Sequence, residues 1–354
     1  MRAQTSIMIN HLFVALSAEG RVVRFAQDSD TGELDPVASF DTPGGPAPIA
    51  ISPAGDYLYV GRRAAKQLSA YRLDRASGEV ELVGETALRS DSNYLATDTT
   101  GGYVFSAYYT AGACAVHRVG TDRAPTEVVW IATGSGAHCM HTDPSNRFAI
   151  LNHVAEPDHH NRIYQYRFDA STGALSPNDP ASLIPSAAAV GPRHLCFHPA
   201  LPTLYTSNEQ GCSVTAYAFD REAGTLSEVQ TLSTLPTDYT GENTCSQIRM
   251  DTAGRFLYIG NRGHDSVASF AIDAESGALR ATGHAPTDPL PRPLNVAPDG
   301  RFLYVAGTET GRINCYAIDQ QEGALTRGTA YLAGADAASS PMWIALLDAQ
   351  EASA

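Results

Sequence analysis

The chain has 354 residues, 38 acidic and 24 basic side chains, and a net charge of −14. That balance excludes a surface built to wrap nucleic acid or to lie on an anionic membrane. No run approaches the roughly 18 apolar residues that a membrane span needs. A small anionic ligand remains compatible, because a few arginines in one pocket reverse the local field.

The opening segment, MRAQTSIMINHLFVAL, carries one Arg and a short apolar run. It reads as a first strand rather than a signal peptide, since Leu12–Leu16 aligns with six later segments. Those segments begin at Leu58, Tyr103, Phe148, Leu204, Leu257 and Leu303, at steps of 45 to 56 residues. Self-similarity at this period, with four short strands per repeat, marks a β-propeller. The expected fold is therefore all-β: a single domain over residues 1–354, with seven blades.

In chain order, the first repeat offers only three strands before PAPIAISP opens the second. A turn of the form D-x-x-x-G then recurs at Asp28/Gly32, Asp74/Gly78, Asp169/Gly173, Asp220/Gly224, Asp273/Gly277 and Asp319/Gly323. The third repeat has GTDRAPTE instead. Repetition at a hairpin makes these acids turn formers rather than catalysts. The sixth repeat is the clearest: strands at Ser246–Met250, Phe256–Gly260 and Ser266–Ile272, with a turn at Asp251–Gly254. The chain closes on SPMWIALLD, an inner strand with nothing after it. Met342–Leu347 is expected to pair into the blade begun at Leu12, closing the ring and removing its open edges.

Six cysteines, at 114, 139, 196, 212, 245 and 315, show neither CxxC nor metal-ligand spacing. They read as reduced, in a cytoplasmic protein.

In an antiparallel blade, the start of the inner strand and the end of the second strand share one face. Residues at those positions converge on one mouth of the channel. They are Asn93, His138, Arg193 with His194, Ser246 with Gln247, Arg292 and Pro341, facing Arg63, Tyr109, Asn152 with His153, Glu209, Arg262 and Gly307. This ring is not repetitive. It gathers arginines against one Glu, which suits a small multivalent anion such as a carboxylate or phosphate. Inter-blade ion pairing is the structural alternative. His138 and Glu209 are the pair able to move a proton near pH 7. His141 is expected on the other side of its strand. His159 and His160, in EPDHHNR, read as solvated, with metal scavenging as an alternative.

The motifs GPRHLCFHP (191–199), SNEQ (207–210), GRFLYIGNRGHDS (254–266), PRPLNVAPDGRFLYVAG (291–307) and SPMW (340–343) resemble the seven-bladed lactonase family. That family includes the bacterial propeller-type 6-phosphogluconolactonase and the fungal 3-carboxy-cis,cis-muconate lactonizing enzyme. The resemblance implies an active site of His138, Arg193, Glu209 and Arg262, the same four that the convergence selects. Gln210 and Ala137 depart from the family's usual Leu and Pro.

The expectation is a lactonase acting on an anionic sugar lactone, foremost 6-phosphogluconolactone, in the pentose phosphate route. His138 and Glu209 would serve as acid and base. Arg193 and Arg262 would clamp the anion, helped by Arg63, Tyr109, His153, His194 and Arg292. No nucleophilic Ser or Cys, no metal and no cofactor is implied. A cycloisomerase closing a carboxy-muconate-like diacid is the first alternative, and a non-enzymatic binding propeller the second.

Overall fold

The computed structural model describes residues 9–120, 123–155 and 160–349; His159 lies outside them. Seven four-stranded antiparallel sheets form the blades of one ring. Apart from a 3-10 turn at Ala337–Ser339, no helix occurs among the described residues. Blade 1 holds Ile9–Leu16, Arg21–Asp28 and Leu34–Asp41, and takes its inner strand, Pro341–Leu347, from the other end of the chain. The closing register pairs Val14 with Ile344, both without exposed surface. Glu19 fastens the same closure by accepting from the Ala335 backbone N–H, at 2.8 Å, and from the Ser339 hydroxyl. Ring closure is thus as expected. In blade 6 the first two strands run longer than expected, Thr244–Met250 and Phe256–Arg262, because Thr244 still pairs with Arg262 at the channel mouth.

The D-x-x-x-G turns do more than reverse the chain. Gly32 donates to the Asp28 carbonyl at 2.8 Å and Gly277 to the Asp273 carbonyl at 2.9 Å. The carbonyls of these glycines then serve the neighbouring blade. Tyr205 of blade 5 donates to Gly277 of blade 6, Tyr258 of blade 6 to Gly323 of blade 7, and Tyr304 of blade 7 to Gly32 of blade 1. Each tyrosine is buried at a blade seam, where its ring supplies apolar area and its hydroxyl must find a partner. Blade 2 breaks the series. The Tyr59 hydroxyl is buried without a partner among the described residues, and the next blade is the one whose sequence lacks the turn.

The inner strands do not keep a regular pleat. Register slips occur at Pro46/Ile49, Ala137/Cys139, Pro192/His194, Cys245/Ile248 and Pro291/Leu294. A bulge inserts an extra residue and re-aims the side chains beside it. Consecutive residues such as Arg193 and His194 therefore both line the channel.

Gly323 has φ of 71°, and a Cβ there would meet Phe256 Cδ1 of blade 6 at 2.3 Å. Gly323→Ala is expected to destabilise the ring by about 2–5 kcal/mol, the sum of the left-handed backbone penalty and overpacking. A urea titration showing an unchanged midpoint would contradict this interlock.

Candidate active site

At the narrow mouth, the channel holds a void of about 20 Å³. That is room for about one water. His138, Arg193 and His194, each at the bulged start of an inner strand, line it together with Arg63, Arg292 and Gln247.

Glu209 sits behind this lining and is almost fully buried. Its Oε2 accepts from Arg193 Nε at 2.8 Å and its Oε1 from Arg262 Nη2 at 2.6 Å. Arg262 Nη2 also donates to the Cys245 carbonyl at 2.7 Å. Burial pushes the Glu209 carboxyl up, but Arg193 and Arg262 outweigh it and hold the group below the usual carboxylate range. Burial pushes the Arg193 guanidinium down to about 9, with Glu209 opposing the shift, so it stays charged at neutral pH. The carboxylate thus orients two guanidiniums, one in blade 5 and one in blade 6.

Arg292 is half-buried and has no hydrogen bond or ion pair with any described residue. Burial, then the neighbouring Arg262, pushes it down to about 10. Arg63 is paired, Nη2 to Asp91 Oδ2 at 2.9 Å. Four guanidiniums therefore face two carboxylates around one small void. Several buried polar atoms of these residues have no described hydrogen-bond partner: Arg193 Nη1, Arg63 Nε, Arg262 Nε, His138 Nδ1 and both ring nitrogens of His194.

His138 is held by its backbone. Asn93 Nδ2 donates to the His138 carbonyl at 2.8 Å, while Asn93 Oδ1 accepts from the Tyr109 N–H at 2.7 Å. The ring meets Tyr109 edge-on at 6.0 Å and His194 at 5.0 Å. Burial, then Arg193, Arg292 and Arg262, drives the imidazole well below its ordinary value, so His138 is neutral at pH 7.

Two expectations need correction. His153 does not reach this mouth. It follows the regular pleat of the second strand and turns into the blade seam, where Nε2 meets Thr133 Oγ1 at 2.9 Å and its ring packs on His160 and Tyr164. His160 is exposed, as expected, with its Nδ1 at 3.1 Å from the Tyr164 hydroxyl. His141 is not on the far side of its strand, because the bulge at Ala137/Cys139 shifts the alternation. It lies in the channel, hydrogen-bonded through Nε2 to the Tyr94 hydroxyl. Ser246, named with Gln247 at the mouth, spends its hydroxyl on the Pro291 carbonyl at 2.6 Å.

Sequence reasoning gave no role to Trp343 or Asp91. Trp343 lines the void from the closing strand. Its signal was its place in SPMW, at the inner-strand start that every other blade uses. Asp91 had none beyond lying two residues before Asn93.

Removing the shared carboxylate leaves two buried cations uncompensated. Glu209→Gln is expected to cost about 3–5 kcal/mol in urea unfolding, whereas Asp91→Asn, on a pair with a quarter to a third of each side chain exposed, costs about 1 kcal/mol or less. Equal costs would contradict the different roles assigned to these pairs.

A family model described as Lactonase, 7-bladed beta-propeller, matches residues 12–345. The 6-phosphogluconolactonase of Pectobacterium carotovorum subsp. carotovorum is 33% identical over 281 residues, covering 79% of this chain and 82% of its own. That of Klebsiella pneumoniae (strain 342) is 32% identical over 266 residues, covering 75% and 78%. Among solved structures, a periplasmic gluconolactonase of Pseudomonas aeruginosa superposes with a TM-score of 0.86 at 23% identity, over 97% of this chain and all of its own. A putative 6-phosphogluconolactonase of Bacteroides fragilis gives 0.86 at 23% identity, over 98% and 100%. At that identity the structural likeness speaks for the fold.

Proposed function

The chain belongs to the lactonase family of seven-bladed β-propellers, and on that premise we propose that it hydrolyses 6-phosphogluconolactone to 6-phosphogluconate at the narrow mouth. The observation that carries this reading is the surplus of two guanidiniums over carboxylates around a water-sized void. A phosphate monoester brings about −1.5 to −2 charge, and no other part of the described mouth offers it a match. The names of the relatives support the same substrate.

In this mechanism the lactone lies across the mouth rather than inside the void, which holds the attacking water; its phosphate meets Arg292 and Arg63, and its carbonyl faces Arg193. Water at the floor attacks the carbonyl carbon, and His138 takes its proton. Negative charge that develops on the carbonyl oxygen meets the Arg193 guanidinium, already fixed by Glu209, so little reorganisation is needed. The ring C–O bond then breaks, and the proton on His138 passes to the departing ring oxygen. Glu209, held in two ion pairs, serves as orienter rather than base. Six unpaired cysteines support a reducing, cytoplasmic setting. No helix among the described residues is long and apolar enough to cross a membrane.

The test is hydrolysis of freshly generated 6-phosphogluconolactone beside turnover of carboxy-muconate. Activity on the second alone would replace hydrolysis with cycloisomerisation, and silence on both would overturn the enzyme reading. His138→Ala should lower kcat by about 10²–10⁴-fold. Arg292→Gln should raise KM for the phosphorylated lactone by about tenfold or more while sparing unphosphorylated gluconolactone, since a charge-assisted bond is worth about 1.5–3 kcal/mol.

The pH profile follows from the sign of the His138 shift. A depressed value keeps the base neutral below its ordinary 6.5, so kcat/KM should stay flat as pH falls from 7.5 through 6.5, with the acid limb lower still. Removing a neighbouring cation, as in Arg292→Gln, should move that limb upward. A wild-type limb at 6.5 or above would remove His138 as the base.

A further inference from the structure

The narrow mouth occupies one end of the channel. The other end opens into a larger cavity of about 580 Å³, against about 20 Å³ for the narrow one. This is the size range of small-molecule sites. Its walls are mostly apolar, with Ile49, Leu195, Phe197 and Ile344 among them. Its floor is the set of rings that divides the channel. Tyr94 meets Trp343 at 5.4 Å and His194 at 4.9 Å, and Trp343 lines both cavities.

One cation sits in this apolar cavity without a counter-ion. Arg249 donates through Nη1 to the Ile248 carbonyl at 3.0 Å, and its guanidinium lies over the Trp343 ring at 5.8 Å. No carboxylate pairs with it among the described residues. Asp251, which also lines the cavity, is spent elsewhere: Oδ2 accepts from Arg255 Nε at 3.1 Å, and Oδ1 from the backbone N–H groups of Arg255 and Phe256. Asn295 is likewise occupied, on the Ile344 carbonyl and the Val296 N–H. Burial, then Arg249, pushes His141 down to about 4, so it is neutral and adds no competing charge. The cavity thus offers apolar walls, an aromatic floor and one unspent guanidinium, whereas the narrow mouth offers several arginines and little apolar surface.

We propose that the wide mouth is a second ligand site, which takes a small monocarboxylate with an apolar body, its carboxylate on Arg249 and its body against Trp343 and the aliphatic wall. The ligand class follows from the donor set. One guanidinium binds one carboxylate bidentately, and a polyol such as an aldonate would leave its hydroxyls facing Ile and Leu side chains unpaired. Such an occupant presses on the same rings that contact His138 through His194.

Benzoate is the probe. The chain has two tryptophans, so Trp130→Phe leaves Trp343 as the reporter in the otherwise full chain. Benzoate should change Trp343 emission saturably, and benzamide, its neutral counterpart, should bind about tenfold more weakly or worse. Arg249→Met should weaken benzoate by a similar factor, Arg249→Lys should restore part of it, and Arg292→Gln should leave it unchanged. If Arg249→Met does not fold, the benzamide comparison and Arg249→Gln give the same reading. No saturable response, equal affinity for benzamide, or loss of binding in Arg292→Gln rather than in the Arg249 variants would each overturn the proposal.

Discussion

One carboxylate, Glu209, holds two guanidiniums in the interior of a protein that is otherwise strongly acidic. Burying an arginine is unfavourable without a paired charge, so the positions of Arg193 and Arg262 depend on this group. Both of its oxygens are used, one toward each arginine. Because the two arginines come from different blades, the pair also ties a seam. The electrostatics of the mouth follow. Glu209 reaches Arg292 only through space, without an ion pair, and burial together with the surrounding arginines keeps the nearby imidazole of His138 uncharged.

Much of this was legible in the sequence, for reasons specific to propellers. The period fixes the blade count, and an unpaired inner strand at the end of the chain leaves only the first blade for Pro341–Leu347 to join. Alignment of repeats then brings equivalent positions to one mouth, which is why His138, Arg193, Arg292 and Arg63 line the same void. What failed was parity. A sequence does not announce a bulge, and one extra residue at Ala137/Cys139 turns His141 into the channel. His153 failed for the opposite reason: its strand is regular to the end, so the last side chain faces the seam. Pairing of the arginines with Glu209 was legible as the structural alternative, but that Arg193 and Arg262 are the two it holds needs distances and not only a shared face.

The channel is divided rather than open. Tyr94, His194 and Trp343 meet across it, Tyr94 edge-on to both of the others, and each end inherits a different chemistry from the same seven inner strands. The starts of those strands carry most of the charge, and the ends carry mainly aliphatic side chains, with Arg249 as the charged exception. A symmetric scaffold thus yields two unlike cavities from a single set of elements.

The seam between blades 2 and 3 has a consequence of its own. Tyr59 is 1% exposed, and its hydroxyl lacks the glycine carbonyl that Tyr205, Tyr258 and Tyr304 each receive from the next blade. A buried hydroxyl left unpaired costs about 1–3 kcal/mol. That deficit lowers the cost of opening this junction relative to the seams where the tyrosine is paired, so its backbone amides take up deuterium sooner than those beside Tyr205, Tyr258 and Tyr304.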